Sequence, residues 1–297
     1  MTQHHEKPFA IDAEAQARLG ATLAAARRGL FSDLDGTLSA IAPTPQAATL
    51  LPQVRELLTE ARSIFTVVVV VSGRTASEAA RLVQVPDVLY IGNHGWERAE
   101  LSAQAGSRGR GLVPRQTLPQ AASYERSIDD ALVTIKSALG RRFPGIWIEP
   151  KGATGSIHLR ATAQPEEAEA EVFALAQDLA AQHNLRATRG KLVVELRPAV
   201  DVDKGTVVAD VIQEHSLGGA LYLGDDQTDL DAFRTLRRLD AARECAGVTV
   251  AVRGPDAPVE LEAESDIRLA TVEQVPAFLR WLLDAARHDG ARPHPVQ

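Results

Sequence analysis

Short apolar runs alternate with amphipathic stretches over much of the chain. The longest run, residues 66–71, consists entirely of β-branched side chains, and only Thr66 among them is polar. Such a run is typical of a strand buried on both faces. Shorter runs of this kind lie at residues 29–32, 88–91, 220–223 and 248–252. Helical patterns lie at residues 52–62, 75–84, 204–215, 228–239 and 272–287. This alternation predicts an α/β fold with a Rossmann-like parallel sheet flanked by helices.

The middle of the chain has a different character. Residues 102–119 are rich in Gly, Ser, Arg, Gln and Pro, which predicts a loop or hinge. Behind this segment the pattern predicts a helix at 120–142, two strands, a helix at 166–183 and two more strands. We therefore expect an independent α/β unit at residues 112–198, inserted into a core formed by residues 1–111 and 199–297.

Three predicted strands of the inserted unit, at residues 146–151, 156–160 and 191–197, have one aliphatic and one charged side. Successive strand residues point to opposite faces, so the aliphatic sides should pack under the two helices. The other sides carry Trp147, Glu149, Lys151, Ser156, His158, Arg160, Lys191, Glu195 and Arg197. A merely solvated face is one interpretation. Acids, bases and an indole on one face also suit a polyhydroxylated, anionic ligand.

Composition narrows the class of protein. The 297 residues are 45% hydrophobic and 24% charged, as in ordinary globular proteins. The single cysteine, Cys245, excludes an intramolecular disulfide framework and a multi-cysteine metal site. No stretch approaches the roughly 18 apolar residues of a membrane span, and residues 1–7 lack a signal-peptide core, so a cytoplasmic location without membrane partners is expected. The net charge of −7 does not support nucleic-acid binding.

The first candidate for chemistry follows the first predicted strand. Asp33 and Asp35 stand two residues apart, and Gly36 and Thr37 come directly after them. Two carboxylates in one place are costly unless a cation neutralises them or a proton is shared. Mg²⁺ prefers such hard oxygen ligands, and one carboxylate could attack an electrophile while the other transfers a proton. A chance pair of acids in a surface turn is the alternative.

Three further segments lie at strand ends or helix starts. Ser72 could meet a phosphate at a helix N-terminus or serve only as an N-cap. Lys204 opens a helix, where a cation gains nothing from the helix dipole; it could hold a phosphoryl oxygen or be a plain surface lysine. Four acids, at 225, 226, 229 and 231, exceed the needs of helix capping and suggest a second metal-ligand cluster. In an open α/β sheet, ligands bind at the carboxyl ends of the strands, where these segments are predicted to lie.

Taken in order, these motifs resemble the haloacid-dehalogenase-type phosphatases: Asp33-x-Asp35-Gly36-Thr37, then Ser72, Lys204 and Gly224-Asp225-Asp226-x-x-Asp229. The resemblance spans roughly residues 29–252. Within that superfamily, further segments resemble the trehalose-6-phosphate phosphatases, namely Leu38-Ser39-x-Ile41, Gly92-Asn93-His94-Gly95, Glu149-x-Lys151, His158-x-Arg160 and Glu195-x-Arg197-Pro198. Two positions depart from the pattern, since Leu230 stands where many relatives have Glu and Leu34 where an aromatic is common.

The resemblance implies a haloacid-dehalogenase core with an inserted α/β cap of the C2 type. It also implies Mg²⁺-dependent hydrolysis of trehalose 6-phosphate to trehalose and phosphate, with Asp33 as the nucleophile that becomes phosphorylated and Asp35 as the acid/base. Thr37, Ser72 and Lys204 would hold the phosphoryl group. Metal ligands would be Asp33, the Asp35 carbonyl and Asp225, with Asp229 in support. Substrate-binding residues would be Gly73, Arg74, Asn93, His94, Glu149, Lys151, His158, Arg160, Glu195 and Arg197.

Two alternatives remain beside this reading. The chain could be a phosphatase for another sugar phosphate, such as sucrose phosphate, glucosylglycerol phosphate or a glycosyl phosphoglycerate. It could also be a catalytically inactive sugar-phosphate sensor, although a pure binder would not need an acid/base beside a nucleophile. The resemblance further raises functional coupling to a trehalose-phosphate synthase. Because a cap must close to exclude water, a hinge near residues 112–118 is expected to move.

Overall fold

The structure, a computed structural model, describes residues 9, 11–42, 44, 47–102, 111–112, 116–117, 121–190, 192–200, 202–254 and 257–289. The chain forms two compact units. The first comprises Met1–Arg115 and Val202–Gln297, and the second comprises Gln116–Asp201; we call them the core unit and the inserted unit. Most of the predicted hinge, and Lys191 of the predicted charged face, lie outside the described residues.

The described strands are β1 (Arg28–Asp33), β2 (Val67–Val71), β3 (Leu89–Gly92), β4 (Glu97–Ser102), β5 (Gly111–Leu112), β6 (Gln116–Thr117), β7 (Trp147–Pro150), β8 (Gly155–His158), β9 (Leu185–Gly190), β10 (Val193–Pro198), β11 (Gly219–Gly224), β12 (Ala246–Val252) and β13 (Ile267–Leu269). The described helices are α1 (Ala13–Ala24), α2 (Val54–Ala61), α3 (Ala76–Val83), α4 (Ala121–Leu139), α5 (Pro165–His183), α6 (Lys204–Glu214), α7 (Asp229–Ala241), α8 (Val259–Ala263) and α9 (Val275–Asp289). Short 3-10 helices lie at Asn93–Gly95 and Val272–Gln274.

The main sheet of the core unit runs in the order β13-β12-β11-β1-β2-β3-β4-β5. Its strands from β13 to β3 pair in parallel. The sheet is buried on both faces, as strand β2 shows: Val68 and Val70 belong to one hydrophobic cluster, with α1, α2, α3 and α9, while Val69 and Val71 belong to the other, with α6 and α7. The α/β fold predicted from the alternating runs is confirmed.

The core unit also contains elements that the pattern did not predict. Strand β4 pairs antiparallel with β3, and only its alternate residues Ala99 and Leu101 are buried apolar side chains. Such a weakly apolar strand at the edge of a sheet leaves little periodic signal. Helix α1 was likewise not predicted from the sequence. Among the described residues, no helix is long and apolar enough to cross a membrane.

The inserted unit has its own antiparallel sheet, in the order β7-β8-β10-β9. Helices α4 and α5 cover one face of this sheet, and the apolar cluster beneath them includes Ile157, Val194 and Leu196. The aliphatic sides of the strands therefore pack under the helices, as the alternation predicted. The charged side chains are left on the opposite face.

Candidate active site

Asp33 stands at the carboxyl end of β1, between two parallel neighbours. Strand β2 pairs Val71 with Asp33, and β11 runs along the other side of β1. Because the carboxyl ends of parallel strands share one edge, the segments after β1, β2 and β11 meet there. The Asp33 side chain is buried, since the residue is only 5% exposed.

Gly36 and Gly224 allow the acidic segments to approach one another. A Cβ atom on Gly36, whose φ is +94°, would lie 2.0 Å from Asp225 Oδ2. One on Gly224 would lie 2.3 Å from the Asp229 carboxyl carbon. Both positions therefore require glycine, Gly36 also because L residues rarely adopt its φ.

Lys204 joins the nucleophile candidate to the second acidic segment. Its Nζ donates to Asp33 Oδ1 at 2.7 Å and to Asp229 Oδ1 at 2.6 Å. The side chain is 2% exposed, so both ion pairs are buried. Asp203 caps the helix that begins at Lys204, because its Oδ1 accepts from the Thr206 amide at 2.7 Å. The lysine is thus fixed by its helix start and by two carboxylates.

Asp229 accepts hydrogen bonds at both of its carboxylate oxygens. Oδ1 accepts from Lys204 and from the Tyr222 hydroxyl, the latter at 2.8 Å. Oδ2 accepts from the backbone amides of Asp225 and Asp226 at 2.9 and 3.0 Å. These four donors match the roughly four lone-pair sites of a carboxylate. Asp229 therefore ties together α6, β11 and the turn that opens α7.

The site carries more negative charge than Lys204 compensates. Asp33, Asp225 and Asp229 offer carboxylate oxygens that all lie within 4.8 Å of one another. Burial raises the pKa of Asp33 well above its usual value, although Lys204 opposes the shift. Burial and the neighbouring Asp229 raise the pKa of Asp225 to about 7. Burial alone would lower the pKa of Lys204, but Asp229 and Asp33 outweigh it and raise it well above normal.

Asp33 and Asp225 fit a hard divalent cation as direct ligands. The lone-pair sites of Asp229 are already engaged by four donors, so Asp229 supports the site by holding its neighbours. Carboxylates forced together in a buried place hold protons or a cation, and oxygen ligands of this kind suit Mg²⁺. Thr37 Oγ1 donates to Asp225 Oδ1 at 2.9 Å and fixes that carboxylate. A metal-binding acidic cluster at the positions predicted for it is therefore consistent with the structure.

Asp35 and Arg74 form a bidentate ion pair. Arg74 Nε donates to Asp35 Oδ2 at 2.6 Å, and Nη2 donates to Asp35 Oδ1 at 2.7 Å. The Ser72 Oγ accepts from the Arg74 amide at 3.1 Å. The family resemblance implied that Arg74 contacts the sugar. In the structure its guanidinium lies against the acid/base candidate, whose rotamer it fixes.

The segment after β3 packs against the Ser72 turn. The His94 amide donates to the Ser72 carbonyl at 3.1 Å, and a Cβ on Gly73 would come within 2.9 Å of the His94 ring. The backbone is left-handed at Asn93 and His94 (φ +55° and +57°), a conformation that costs energy in non-glycine residues. The predicted residues Gly73, Asn93 and His94 therefore lie together in the core unit.

A buried carboxylate that the sequence did not single out stabilises this segment. Glu97 is fully buried. Its Oε1 accepts from Asn93 Nδ2 at 3.3 Å and its Oε2 from the Ala76 amide at 3.2 Å. Glu97 thus connects the turn after β3 to the start of α3.

Tyr222 is a second buried polar residue that the sequence did not single out. Its hydroxyl lies in an otherwise apolar buried strand, and this is the signal that could have found it.

The polar face of the inserted unit is more open. Glu149 Oε2 accepts from His158 Nε2 at 2.8 Å and lies 3.3 Å from Lys151 Nζ. Burial would raise the pKa of Glu149, but the His158 hydrogen bond and Lys151 outweigh it and lower it. The Trp147 ring stacks on the His158 ring, with centroids 4.5 Å apart. The structure brings these four residues together, as their shared face predicted.

The remaining described residues of the predicted face lie on β8, on β10 and just after β8. Ser156 Oγ donates to Glu195 Oε1 at 3.4 Å, across the β8–β10 pair. Arg197 lies two residues further along β10, directly opposite Arg186 of β9. Arg160 follows the end of β8 and is exposed. Glu195 and Arg197 therefore share the face that carries Glu149.

A family model described as trehalose-phosphatase matches residues 31–264, which include most of both units. The chain belongs to the trehalose-phosphatase family. It is 34% identical over 216 residues to a trehalose-phosphate phosphatase of Mycobacterium tuberculosis, covering 71% of this chain and 52% of that protein. It is 35% identical over 240 residues to one of Mycobacterium avium, covering 79% and 56%. The chain thus spans about half the length of these curated relatives.

The chain also resembles solved structures that are named after trehalose-6-phosphate phosphatases. The C. albicans trehalose-6-phosphate phosphatase C-terminal domain superposes with a TM-score of 0.69 at 22% identity, covering 93% of this chain and 99% of that one. A trehalose-6-phosphate phosphatase related protein superposes with a TM-score of 0.67 at 20% identity, covering 88% and 99%. At these identities the likeness establishes the fold alone, which is a parallel-dominated α/β core with an inserted α/β unit.

Proposed function

We propose that this chain hydrolyses trehalose 6-phosphate to trehalose and inorganic phosphate, with Mg²⁺ as cofactor and a phosphorylated Asp33 as intermediate. The observation that carries the proposal is the buried contact of Lys204 with both Asp33 and Asp229, in a chain of the trehalose-phosphatase family. The relatives it matches are named trehalose-phosphate phosphatases, which supports this substrate.

The first half-reaction transfers the phosphoryl group to Asp33. The Lys204 bond occupies Asp33 Oδ1, so we assign the attack on phosphorus to Oδ2. A bond forms between this oxygen and phosphorus while the bond from phosphorus to the sugar oxygen breaks. Asp35 gives a proton to the departing sugar oxygen, which requires that one of its oxygens be released from the Arg74 ion pair and protonated before this step. Lys204 reduces the repulsion between the carboxylate and a phosphate that carries about two negative charges.

The second half-reaction returns Asp33 to its free form. Asp35, now ionised, takes a proton from a water molecule that attacks the phosphorus, and the bond between phosphorus and Asp33 breaks. Inorganic phosphate leaves with the oxygen that came from water. Asp33, Asp225 and the Asp35 carbonyl would hold Mg²⁺, with Asp229 in support. When bound, the ion would supply charge neutralisation at the phosphoryl oxygens.

We assign phosphoryl binding to Thr37, Ser72 and Lys204. Thr37 and Ser72 are buried hydroxyls at the edge where β1 and β2 end. Each now contacts a neighbour in the core unit: Thr37 donates to Asp225, and Ser72 accepts from the Arg74 amide. Both hydroxyls could exchange these partners for phosphoryl oxygens without leaving the site.

We further propose that residues 112–198 act as a cap that recognises the sugar, and that residues 1–111 and 199–297 perform the chemistry. The face with Glu149, Lys151 and His158 combines charged hydrogen-bonding groups with the exposed ring of Trp147. Such a surface can bind sugar hydroxyls through its charges and a sugar ring through the indole. Arg160, Glu195 and Arg197 would extend it. We also propose that the chain is functionally coupled to a trehalose-phosphate synthase.

A substrate panel tests the function directly. Phosphate release would be measured with Mg²⁺ and with a chelator, on trehalose 6-phosphate, sucrose phosphate, glucosylglycerol phosphate, glucosyl phosphoglycerate and p-nitrophenyl phosphate. We expect kcat/KM to be highest for trehalose 6-phosphate, by roughly tenfold or more, and activity to vanish with the chelator. A higher value for another sugar phosphate would move the assignment to that substrate. Absence of release from every compound would favour a sensor.

A further inference from the structure

Tyr222 is a polar residue in a strand that is otherwise apolar. Strand β11 reads Gly-Ala-Leu-Tyr-Leu-Gly and is buried along its whole length. The ring of Tyr222 lies in the apolar cluster between the sheet and helices α6 and α7, edge-on to Phe233 with centroids 6.1 Å apart. Its hydroxyl donates to Asp229 Oδ1 at 2.8 Å. The ring accounts for the apolar packing and the hydroxyl does not contribute to it, so the hydroxyl requires another explanation.

The hydroxyl acts on the oxygen that Lys204 also contacts. Asp229 Oδ1 has two donors, Tyr222 and Lys204, whereas Oδ2 is held by two backbone amides. Without the tyrosine, Oδ1 would keep Lys204 as its sole donor among these four. The two amides would still anchor Oδ2, but Oδ1 could move about that anchor together with the lysine, and Lys204 would be held less firmly.

The position of Lys204 matters because several carboxylates compete for its ammonium group. Nζ lies 2.7 Å from Asp33, 2.6 Å from Asp229 and 3.6 Å from Asp226. A shift toward Asp226 would lengthen the contact with Asp33. A displacement of about 1 Å in a group that positions the reacting atoms can lower the reaction rate substantially.

We propose that Tyr222 is a positioning residue for phosphoryl transfer: its hydroxyl fixes Asp229, which in turn holds Lys204 against Asp33. This inference rests on the proposed function, since it gives Asp33 and Lys204 their catalytic roles. Tyr222 itself touches neither of them by a hydrogen bond and acts through Asp229.

Tyr90 provides a matched control within the same sheet. It is also fully buried, on β3. Its hydroxyl donates to the Val85 carbonyl at 2.8 Å and accepts from the Val85 amide at 3.1 Å. These bonds fix a backbone turn and involve no site residue. Tyr90→Phe therefore removes a buried hydroxyl with a purely structural task, and Tyr222→Phe removes one that faces the site.

The test compares Tyr222→Phe with Tyr90→Phe in the full chain, using trehalose 6-phosphate and p-nitrophenyl phosphate. For Tyr222→Phe we expect kcat to fall about tenfold on both substrates, with KM within about twofold, as for loss of an interaction that serves the transition state. For Tyr90→Phe we expect a lower melting temperature and an unchanged kcat. Circular dichroism gives the folded fraction, to which each kcat is normalised.

A double-mutant cycle with Asp229→Asn identifies the route of the effect. If Tyr222 acts through Asp229, adding Tyr222→Phe to Asp229→Asn should cause little further loss of kcat. Multiplicative losses, or a wild-type kcat for Tyr222→Phe, would overturn the positioning role. Both results require a wild-type enzyme that releases phosphate. If the wild type releases none from any compound, the proposed function itself has failed.

Discussion

The acidic site of the core unit and the polar face of the inserted unit are both built from charged side chains, yet they differ in exposure. In the core, Asp229 and Lys204 are at most 2% exposed, and backbone amides hold the carboxylate of Asp229. On the inserted unit, Trp147 is 46% exposed, and Glu149 is held by the side chains of His158 and Lys151.

This difference in exposure suits the two tasks that we propose for the two units. Phosphoryl transfer gains from groups that are desolvated and fixed before the reaction, because no reorganisation then accompanies the change of charge. Recognition of a sugar requires groups that can exchange water for hydroxyl oxygens. The buried site accordingly accepts raised carboxyl pKa values, at Asp33 and Asp225, whereas the pKa of Glu149 is lowered.

The strongest test of the proposed division of tasks between the two units removes the nucleophile candidate, Asp33. Asp33→Asn replaces a carboxylate by an amide of the same shape that cannot attack phosphorus, so we expect kcat to fall by roughly a thousandfold or more on every phosphate ester. The fold should persist, because the variant removes one charge from a crowded acidic cluster. Phosphate release and circular dichroism check the two expectations. Wild-type-like turnover would end the assignment of Asp33.

The second test separates sugar recognition from chemistry. Glu149→Ala or Glu195→Ala should lower kcat/KM on trehalose 6-phosphate by roughly tenfold to a hundredfold, since a charged hydrogen bond is worth about 1.5–3 kcal/mol. The loss on p-nitrophenyl phosphate should be much smaller, because that compound has no sugar to bind.

Glu167→Ala is the control for this experiment. Glu167 belongs to helix α5 of the same unit, on the other side of the sheet, where it pairs with Arg142 at the surface. Its removal should leave both substrates unaffected. Equal losses on the two substrates for the Glu149 and Glu195 variants would contradict a sugar-binding role for this face.

The smallest expected effect concerns pH and metal binding. The folded chain keeps the Asp225 proton up to about pH 7, whereas the unfolded chain releases it near the ordinary value of about 4. Without metal, this group's contribution to stability is therefore present at low pH and is lost as pH rises through that window. A divalent cation binds the ionised form. Mg²⁺ should consequently raise the melting temperature more at about pH 8 than at about pH 5.5.

Asp225→Asn sharpens this measurement. The variant cannot release a proton at this position, so its response to Mg²⁺ should be weak and should depend less on pH. Melting curves of both proteins, with Mg²⁺ and with a chelator, provide the comparison. Equal Mg²⁺ responses at the two pH values, or identical behaviour of wild type and variant, would contradict a cation site that contains Asp225.

The core motifs could be predicted from the sequence because strands of one buried parallel sheet must end at one edge. That rule predicts that Asp33, Ser72 and Asp225 lie near one another, and in the structure the acids and Lys204 do meet. The two-sided strands of the inserted unit predicted its charged face in the same way. Periodicity in a strand encodes which face a side chain occupies.

Individual contacts within those regions could not be predicted. Periodicity does not say which oxygen of Asp229 meets Lys204, or that Tyr222 reaches it. It also gave no sign that Arg74 would pair with Asp35 or that Glu97 would be buried beneath Asn93. These contacts depend on side-chain rotamers and on the distance between segments far apart in the chain. Strand β4, which carries Glu97, was itself missed because its apolar signal is weak.

Chemical trapping of the intermediate tests the central claim most directly. The enzyme would be mixed with trehalose 6-phosphate and Mg²⁺, quenched in acid during turnover and reduced with borohydride, which converts an aspartyl phosphate to homoserine. Peptide mass spectrometry would then locate the modified residue. The account predicts homoserine at position 33 in the wild type and none in Asp33→Asn. Active enzyme that yields homoserine at another aspartate, or at none, would contradict it.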